Sequence, residues 1–472
     1  MNRTDVKSCA GLCRKHKTEH KELSENASPR VYEAKGELVY PLSQHIGRPA
    51  KPVVKKGDHV LVGQRIADAD GFVSACICSS CSGTVKAVEK RRTNAGTYGE
   101  CIVIDNDGQF TEAPDFGKEV SCDDLTNEEI IGKIRDAGII GMGGAGFPTA
   151  VKLMPKDPDA IRHVIVNGAE CEPYITCDDQ LMQTRSADIV EGLQIVMRLF
   201  PHAEGVILIE DNKPKAIAAM TAAAAGHDHV RVVVAKTKYP QGGEKSIISL
   251  VTGIYTKVSE LPAEAGCIVD NVATILAIRN AVRFSEPLIR RMVTVTGDAV
   301  AKPSNLIVRI GTSAEELVEA AGGIREGVTL EKALFGGPMM GVAVTELSVP
   351  IQKGSNALTL LTHDETMDAE REMTACIRCG RCARVCPMGL VPEMMAEAAE
   401  KRDYESYEKK FYGLECIQCG SCTYICPAKR PLTQLFKVAK AEIMAEKRAR
   451  ATAEKLKAEA AKKPASSGKE DK

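Results

Sequence analysis

The stretch GMGGAGFPTAVKLMPKDPDAIRHVIVNGAECEP, residues 141–173, decides how the middle of this chain is read. Gly141, Gly143 and Gly146 fit the letters G-x-G-x-x-G of a dinucleotide fingerprint. That fingerprint needs a strand before the first glycine, a helix opening at the third and an acidic residue about 20 positions on. The preceding LTNEEIIGKIRDAGII (125–140) instead reads as a helix, capped by Thr126 or Asn127 with Glu128 and Glu129 in its first turn. Only Gly138, Ile139 and Ile140 remain before the loop, so the strand is missing. After it, Pro148 suits the opening of a helix, TAVKLM. Alone, the glycines with Lys152 behind them form either a phosphate cradle or a plain turn packing a helix on a sheet.

The neighbours narrow the choice. HVIVNG is a buried-type strand, and Asn167, Glu170, Cys171 and Glu172 collect at its C-terminal end, where open α/β sheets bind ligands. Strands GVILIE (205–210) and VRVVVAK (230–236) alternate with helices DIVEGLQIVMRLF (188–200) and NKPKAIAAMTAAAA (212–225), the pattern of a mostly parallel sheet. YPQGGEKSIISLVTG (239–253) supplies a second glycine turn before a helix, with Glu244 at its mouth.

The chain holds 18 cysteines, and its N-terminus, MNRTDVKSCAGLCRKHKTEH, has no apolar leader stretch. In a reducing compartment such a count reads as metal ligation, not disulfides. CIRCGRCARVCP (376–387) and CIQCGSCTYICP (416–427) are each C-x2-C-x2-C-x3-C-P. Zinc knuckles use pairs of C-x2-C and have no need of four cysteines plus proline, repeated. In two-cluster ferredoxins the fourth cysteine of each run ligates the other cluster. Cys376, Cys379, Cys382 and Cys426 are therefore assigned to one [4Fe–4S] cluster, and Cys416, Cys419, Cys422 and Cys386 to the second. The link between the runs has helical periodicity, giving a helical two-cluster ferredoxin domain. Clusters carry single electrons, and a flavin is the usual device that loads them from a hydride donor.

Lys and Arg total 62 against 63 Asp and Glu, a formal net charge of −1, so nothing global argues for nucleic acid as a partner. No run approaches the about 18 apolar residues of a spanning helix. Upstream, VVKKGDHVLVGQRIAD (53–68) and CSGTVKAV (81–88) alternate with period 2 around Gly57-Asp58 and Gly63-Gln64 turns, as in a biotinyl/lipoyl-like barrel sandwich. The hairpin that would carry a prosthetic lysine reads SACICSSC (74–81), so a docking barrel is expected in place of a swinging arm. Cys76, Cys78 and Cys81, with Cys9, Cys13, His16 and His20, are either an additional zinc or iron–sulfur site or scattered thiols. Cys101, Cys122, Cys171, Cys177 and Cys267 are read as packing residues. Downstream, RMVTVTGDAVAKPSNLIVRIGTSAEELVEAAGG (291–323) gives strand, turn, strand and a helix capped by Thr312 or Ser313. From about Ala439 the tail reads as a solvated helix ending before Pro464, then disorder.

GMGGAGFPTAVKL, NGAECEP, YPQGGEKSII and VDNVATILAI, in that order, resemble the FMN- and NADH-binding subunit of respiratory complex I. They resemble the RnfC component of the Rnf electron transport complex more closely. The similarity runs from about Asp124 to the second cysteine run, and the N-terminal barrel with two clusters favours the Rnf relative. It departs from the complex I subunit at Ala169, in place of Asp, and at Asp270-Asn271, in place of paired Asn.

The resemblance implies that Gly141, Gly143, Gly144, Gly146, Lys152, Asn167, Glu170 and Asn271 surround FMN, and that Phe147, Glu172 and Glu244 lie where NADH stacks. It implies a multidomain α/β chain with these parts: an N-terminal extension over 1–28, a barrel-sandwich domain over 29–110, a Rossmann-like FMN/NADH domain over 120–285, a β-grasp SLBB domain over 286–355, a ferredoxin-type domain over 360–438 and a charged tail over 439–472. Its expected function is that of the NAD(H)-reacting peripheral subunit of an ion-translocating ferredoxin:NAD+ oxidoreductase. Such a subunit sits at the cytoplasmic face of the membrane beside membrane-spanning and ferredoxin-type subunits. A soluble FMN and iron–sulfur NADH dehydrogenase, of the cobalamin reductase or hydrogenase diaphorase type, and a polyferredoxin scaffold without a nucleotide site remain alternatives.

Overall fold

The structure, a computed structural model, describes residues 12–13 and 19–462. It divides into two compact units, Met1–Asp368 and Ala369–Lys472. In the first unit a barrel sandwich is built from two antiparallel sheets. One runs in the order Leu38–Pro41, Tyr98–Asn106, Gly83–Arg92, His59–Val60, and the other in the order Lys51–Pro52, Arg65–Asp68, Ile77–Cys78. Alternate residues of the long pair turn inward, so Val85, Ile102 and Ile104 join Leu38, Tyr40 and Ile66 in the core. The SACICSSC stretch is buried throughout. Lys353 reaches it from outside the barrel, donating from Nζ to the carbonyls of Cys76 (2.5 Å) and Gly138 (2.7 Å). The barrel is fixed at the place where a carrier domain would expose its lysine.

The central sheet is parallel, in the order Val230–Ala235, Glu204–Glu210, His163–Gly168, Cys267–Asn271. Its strands are apolar on both faces because both are covered. Val164, Val166, Ile207, Ile209 and Ile268 pack beneath helices Ser186–Arg198, Pro214–Ala224 and Val272–Phe284. Ile165, Val206, Leu208 and Val269 turn the other way, towards Ile247 and Ile248 of helix Glu244–Thr252. The helix before the glycine loop is Asn127–Asp136, and Thr126 is its cap, exchanging bonds with Glu129 in a capping box.

A mixed sheet with helix Ala314–Ala320 across it forms the β-grasp part, and Ser313 caps that helix. Its strand order is Val342–Val344, Lys332–Phe335, Ala357–Leu361, Arg290–Thr296, Ser304–Arg309, Arg30–Tyr32. Arg30–Tyr32 departs from the sequence reading, which assigns it to the barrel. It lies parallel to Ser304–Arg309 and closes an edge that would otherwise present unpaired backbone groups.

In the second unit helix Pro392–Glu400 packs on the start of helix Leu432–Lys462. Leu432, Phe436, Ala439 and Ile443 lie on one stripe of the long helix and bury against Met395, Ala399 and Tyr407. The segment read as a solvated tail from Ala439 therefore begins inside this core, and only the turns beyond it are exposed through Glu454. Pro464 and the residues after it lie outside the described residues.

Gly192 lets helix Ser186–Arg198 approach Val272–Phe284 closely, since a Cβ there would stand 2.4 Å from the Ile275 carbonyl oxygen. Gly192→Ala is expected to destabilise the first unit by about 1–3 kcal/mol through forced separation of the two helices, read as a lowered first melting transition with iron content unchanged.

Candidate functional site

The glycine loop is held from three sides. Gly141 N–H donates to the Phe147 carbonyl (2.8 Å), Met142 N–H to Thr274 Oγ1 (2.9 Å), and Ile46 N–H of the barrel to the Gly146 carbonyl (3.1 Å). Gly143 (φ 79°) and Gly146 (φ 73°) occupy the left-handed region that glycine adopts without cost. A side chain on Gly143 would also be crowded, with its Cβ 3.0 Å from Asn271 Nδ2. What this leaves open is the crest: Gly143, Gly144 and Ala145 are exposed, and a Cβ on Gly144 would meet nothing within 4 Å. Backbone can be approached closely there, as a phosphate or ribityl chain requires. No strand precedes the loop. Ile140 makes only an isolated bridge to Pro148, and Pro148 opens the short helix Thr149–Lys152.

Lys152 turns inward, donating from Nζ to Asp270 Oδ1 (2.8 Å) and to the Val269 carbonyl (2.7 Å). Burial pushes the enclosed Asp270 carboxyl up, and Lys152 pulls it back down. The Asp at this departure from the paired-Asn pattern is thus the counter-ion of the cradle lysine. Asn271 caps helix Val272–Phe284 through Ala273 N–H (2.8 Å) and donates to Asp178 Oδ2 (2.6 Å). Asn167 donates to the Gly242 carbonyl (2.9 Å) and accepts from Ala169 N–H (3.2 Å), tying the strand end to the second glycine turn. Cys171 Sγ accepts from Gly242 N–H at 3.4 Å.

Glu170 and Tyr174, neither of them glycine, have positive φ (45° and 70°), the kind of backbone strain that collects at functional loops. The Glu170 carboxylate is enclosed and accepts from Asp178 N–H (2.7 Å). Burial pushes it up to about 7, with Lys21 and Lys213 pulling down and Asp178 and Asp179 pushing up. Glu170, Cys177 and Asp178 bring their ligand atoms within 4.8 Å of one another. Glu170 Oε1 and Asp178 Oδ2 are engaged by protein donors, Glu170 Oε2 accepts no hydrogen bond, and the balancing cations nearby are Lys21, Lys213 and Arg291.

The three residues read as nicotinamide contacts stand on separate segments. Phe147 is half-buried and Glu244 is exposed in the first turn of its helix. The Glu172 oxygens accept from Met340 N–H (2.7 Å) and Met339 N–H (3.3 Å), so the β-grasp part holds it. Among the N-terminal thiols, Cys76 and Cys78 lie together; their mutual hydrogen bond and Lys353 lower Cys76 to about 7 despite burial. Cys81 instead faces the Tyr40 hydroxyl (3.4 Å). Cys9, His16 and the side chain of Cys13 lie outside the described residues, and His20 stacks on Tyr174.

In the second unit the two cysteine runs repeat one backbone shape. Arg378 (φ 53°) and Gln418 (φ 56°) are left-handed, and their N–H groups donate to Cys376 Sγ and Cys416 Sγ, each at 3.4 Å. Gly380 and Gly420 follow, left-handed again. Cys386 of the first run opens on the same cavity as Cys416, Cys419 and Cys422 of the second. At the other end Thr374 N–H donates to the Ala428 carbonyl (3.1 Å), which brings the start of the first run to the end of the second. Burial raises Cys416 to about 11 and Cys422 to about 12, so metal must displace their protons to bind.

Residues 134–280 match the family described as the Nuo51 FMN-binding domain, 15–109 the RnfC barrel sandwich hybrid domain, 292–343 the SLBB domain and 369–427 the 4Fe-4S dicluster domain. Over 429 residues the chain is 42% identical to the RnfC-type component of the proton-translocating ferredoxin:NAD(+) oxidoreductase complex of Clostridium ljungdahlii, covering 90% of this chain and 92% of that one. The chain belongs to the RnfC family. The corresponding component of the Na(+)-translocating complex of Acetobacterium woodii is 40% identical over 87% of this chain and 92% of its own. Its counterpart in the ion-translocating oxidoreductase complex of Pseudomonas aeruginosa is 43% identical over 76% of this chain but only 46% of its own length. A solved NAD+-reducing [NiFe]-hydrogenase in the H2-reduced state overlays with a TM-score of 0.46 at 19% identity, covering 68% of this chain and 66% of that one.

Sequence reading misses four polar residues of this RnfC-family site: Lys21, Asp178, Lys213 and Thr274. Thr274, in the first turn after the Asn271 cap, carries a local signal; the others are brought in by the fold.

Lys152→Met is expected to leave Asp270 enclosed without its cation and to cost on the order of 3–5 kcal/mol, measured by denaturant unfolding. Lys152→Met/Asp270→Asn is expected to recover most of that loss.

Proposed function

We propose that this chain is the NAD(H)-reacting subunit of an ion-translocating ferredoxin:NAD+ oxidoreductase complex. The observation that carries the reading is one chain holding both an open glycine cradle at the end of a parallel sheet and two matched cysteine runs. In this reading Gly141, Gly143, Gly144 and Gly146 present backbone to the FMN phosphate side, Lys152 backs the cradle, and Asn167, Glu170 and Asn271 face the ring side. Phe147 and Glu244 border the nicotinamide approach, with Glu172 at its β-grasp edge. FMN supplies the conversion between a hydride pair and single electrons.

Cys376, Cys379, Cys382 and Cys426 hold one [4Fe–4S] cluster, and Cys416, Cys419, Cys422 and Cys386 hold the other. The chain's contribution is to orient these groups and to surround them with fixed dipoles. No helix among the described residues is long and apolar enough to cross a membrane. Ion movement is therefore assigned to membrane-spanning partner subunits, with this subunit docked at their cytoplasmic face and a ferredoxin-type subunit exchanging its electrons.

Two outcomes test the site. Gly144→Val places a side chain in open space at a position without positive φ, so the fold is expected to survive while retained FMN falls at least tenfold and iron stays at about eight per chain. Undiminished flavin in this variant rejects the cradle. Cys386→Ala is expected to lower iron to about four per chain and to leave the same surviving paramagnetic signal as Cys419→Ala, distinct from that of Cys379→Ala. A Cys386→Ala spectrum matching Cys379→Ala means that each run holds its own cluster.

A further inference from the structure

Residues 19–27 cross the first unit as a strap over the loop that follows strand His163–Gly168. The Glu19 carbonyl accepts from Tyr174 N–H (2.7 Å), and the Glu19 carboxylate accepts from Asn212 Nδ2 (3.0 Å). His20 stacks on Tyr174 with ring centroids 4.6 Å apart. Ser24 Oγ meets Thr176 Oγ1 at 2.8 Å, and Asn305 of the β-grasp sheet donates to the carbonyls of Ser24 (3.0 Å) and Ala27 (3.2 Å). These contacts fasten the strap without any need for a charge inside it.

Lys21 nevertheless enters the protein, with 6% of its surface left exposed. Its ammonium donates to the Ile175 carbonyl and stops 3.6 Å from Glu170 Oε2, an oxygen that accepts no hydrogen bond. Enclosing an ammonium is unfavourable unless a partner answers it, and the partner here is a carboxylate of the candidate flavin site. From Glu170 the network continues through Asp178 to Asn271, and Asn271 borders Gly143 of the cradle.

We propose that the N-terminal strap is a working part of the flavin site and that Lys21 is a positioning residue, holding Glu170 as an anion beside the cradle. This rests on the placement of FMN given above. The groups facing Glu170 are Lys21 from the strap, Lys213 ahead of helix Pro214–Ala224, Asp178 and Asp179 of helix Cys177–Thr184, and Cys177, while Glu210 at a strand end and Cys171 face Lys21. Lys213 cannot replace Lys21, because it already lies 3.5 Å from Glu210 and donates to the Ala169 carbonyl (2.6 Å). The carboxylates here already outnumber the cations, so without Lys21 the excess grows and Glu170 takes up a proton.

The sign of the pH effect follows. Glu170 titrates higher folded than unfolded, so its contribution to stability is full below the ordinary carboxylate range and is lost as pH rises through about 7. Removing Lys21 moves that loss to higher pH.

The test uses the full chain with its clusters, stripped of flavin, and follows the melting midpoint against pH; a second arm follows the FMN dissociation constant against pH. In Lys21→Met both profiles are expected to shift upward by at least one pH unit. Lys21→Met/Glu170→Gln is expected to lose the break in both arms, and it decides the matter if Lys21→Met alone does not fold. A melting profile unchanged in Lys21→Met, or a shifted break that survives in the double variant, overturns the hold of Lys21 on Glu170. A shift in melting without one in FMN affinity makes the pair structural only and overturns the role at the flavin site. A wild-type chain that binds no FMN overturns the proposed function instead, and the melting arm still decides the ion pair.

Discussion

Glu170 and Asp270 are carboxylates enclosed at the C-terminal ends of adjacent parallel strands, and enclosed carboxylates persist only where cations and donors meet them. This constraint arranges the centre of the first unit. Lys152 answers Asp270 from behind the glycine loop, which fixes the helix that carries the loop's far end. Lys21 answers Glu170 from the N-terminal strap, which fixes the loop after strand His163–Gly168. The β-grasp part contributes Asn305 to the strap and the Met339 and Met340 N–H groups to Glu172. Each neighbouring part thus reaches the sheet end through a polar contact, and the site is assembled from all of them.

The second unit meets a similar problem with sulfur. The thiols of its second run are enclosed by Leu432 and Phe436 of the long helix and by the chain between the runs, so burial alone favours protonated cysteine there, whereas Cys376 and Cys379 of the first run are exposed. Left-handed residues at matching points of the runs turn backbone N–H groups onto Cys376 and Cys416. Such donors stabilise thiolate and, once iron is bound, tune the potential of the cluster. The same apolar surroundings that oppose a free thiolate in the second run would keep water from a cluster held there.

The parts legible in the sequence are those whose signal is local. Apolar runs with turn residues mark the strands His163–Gly168 and Glu204–Glu210 because a doubly covered parallel strand has no polar face. Cysteine spacing marks the ferredoxin runs because a cubane dictates the distances between its ligands. Thr126 and Asn127 are both visible as cap candidates, and the capping box with Glu129 decides for Thr126. What escapes is long-range pairing of charge and backbone. Lys21 and the carbonyl it bonds are 154 positions apart, and nothing in HKELSEN distinguishes a buried lysine from a solvated one. Arg30–Tyr32 reads like the first strand of the barrel because the edge it completes, Ser304–Arg309, is written far away in the chain. The helix from Ala439 onward reads like a charged tail because its composition conceals the narrow stripe that Ala439 and Ile443 bury.

The glycine stretch shows why letters and context separate. A dinucleotide fingerprint works because its strand delivers the first glycine to the sheet edge, whereas here the chain arrives from helix Asn127–Asp136 and is delivered by side contacts: Thr274 on Met142, the barrel on Gly146 and Asn271 against Gly143. A loop held in this way depends for its position on domains that a Rossmann loop does not require. The barrel is then a buttress, which accounts for its buried SACICSSC hairpin and for Lys353 joining Cys76 to Gly138 just ahead of the loop. A barrel free to swing could not serve, because releasing it would release the crest that has to stay open to a ligand.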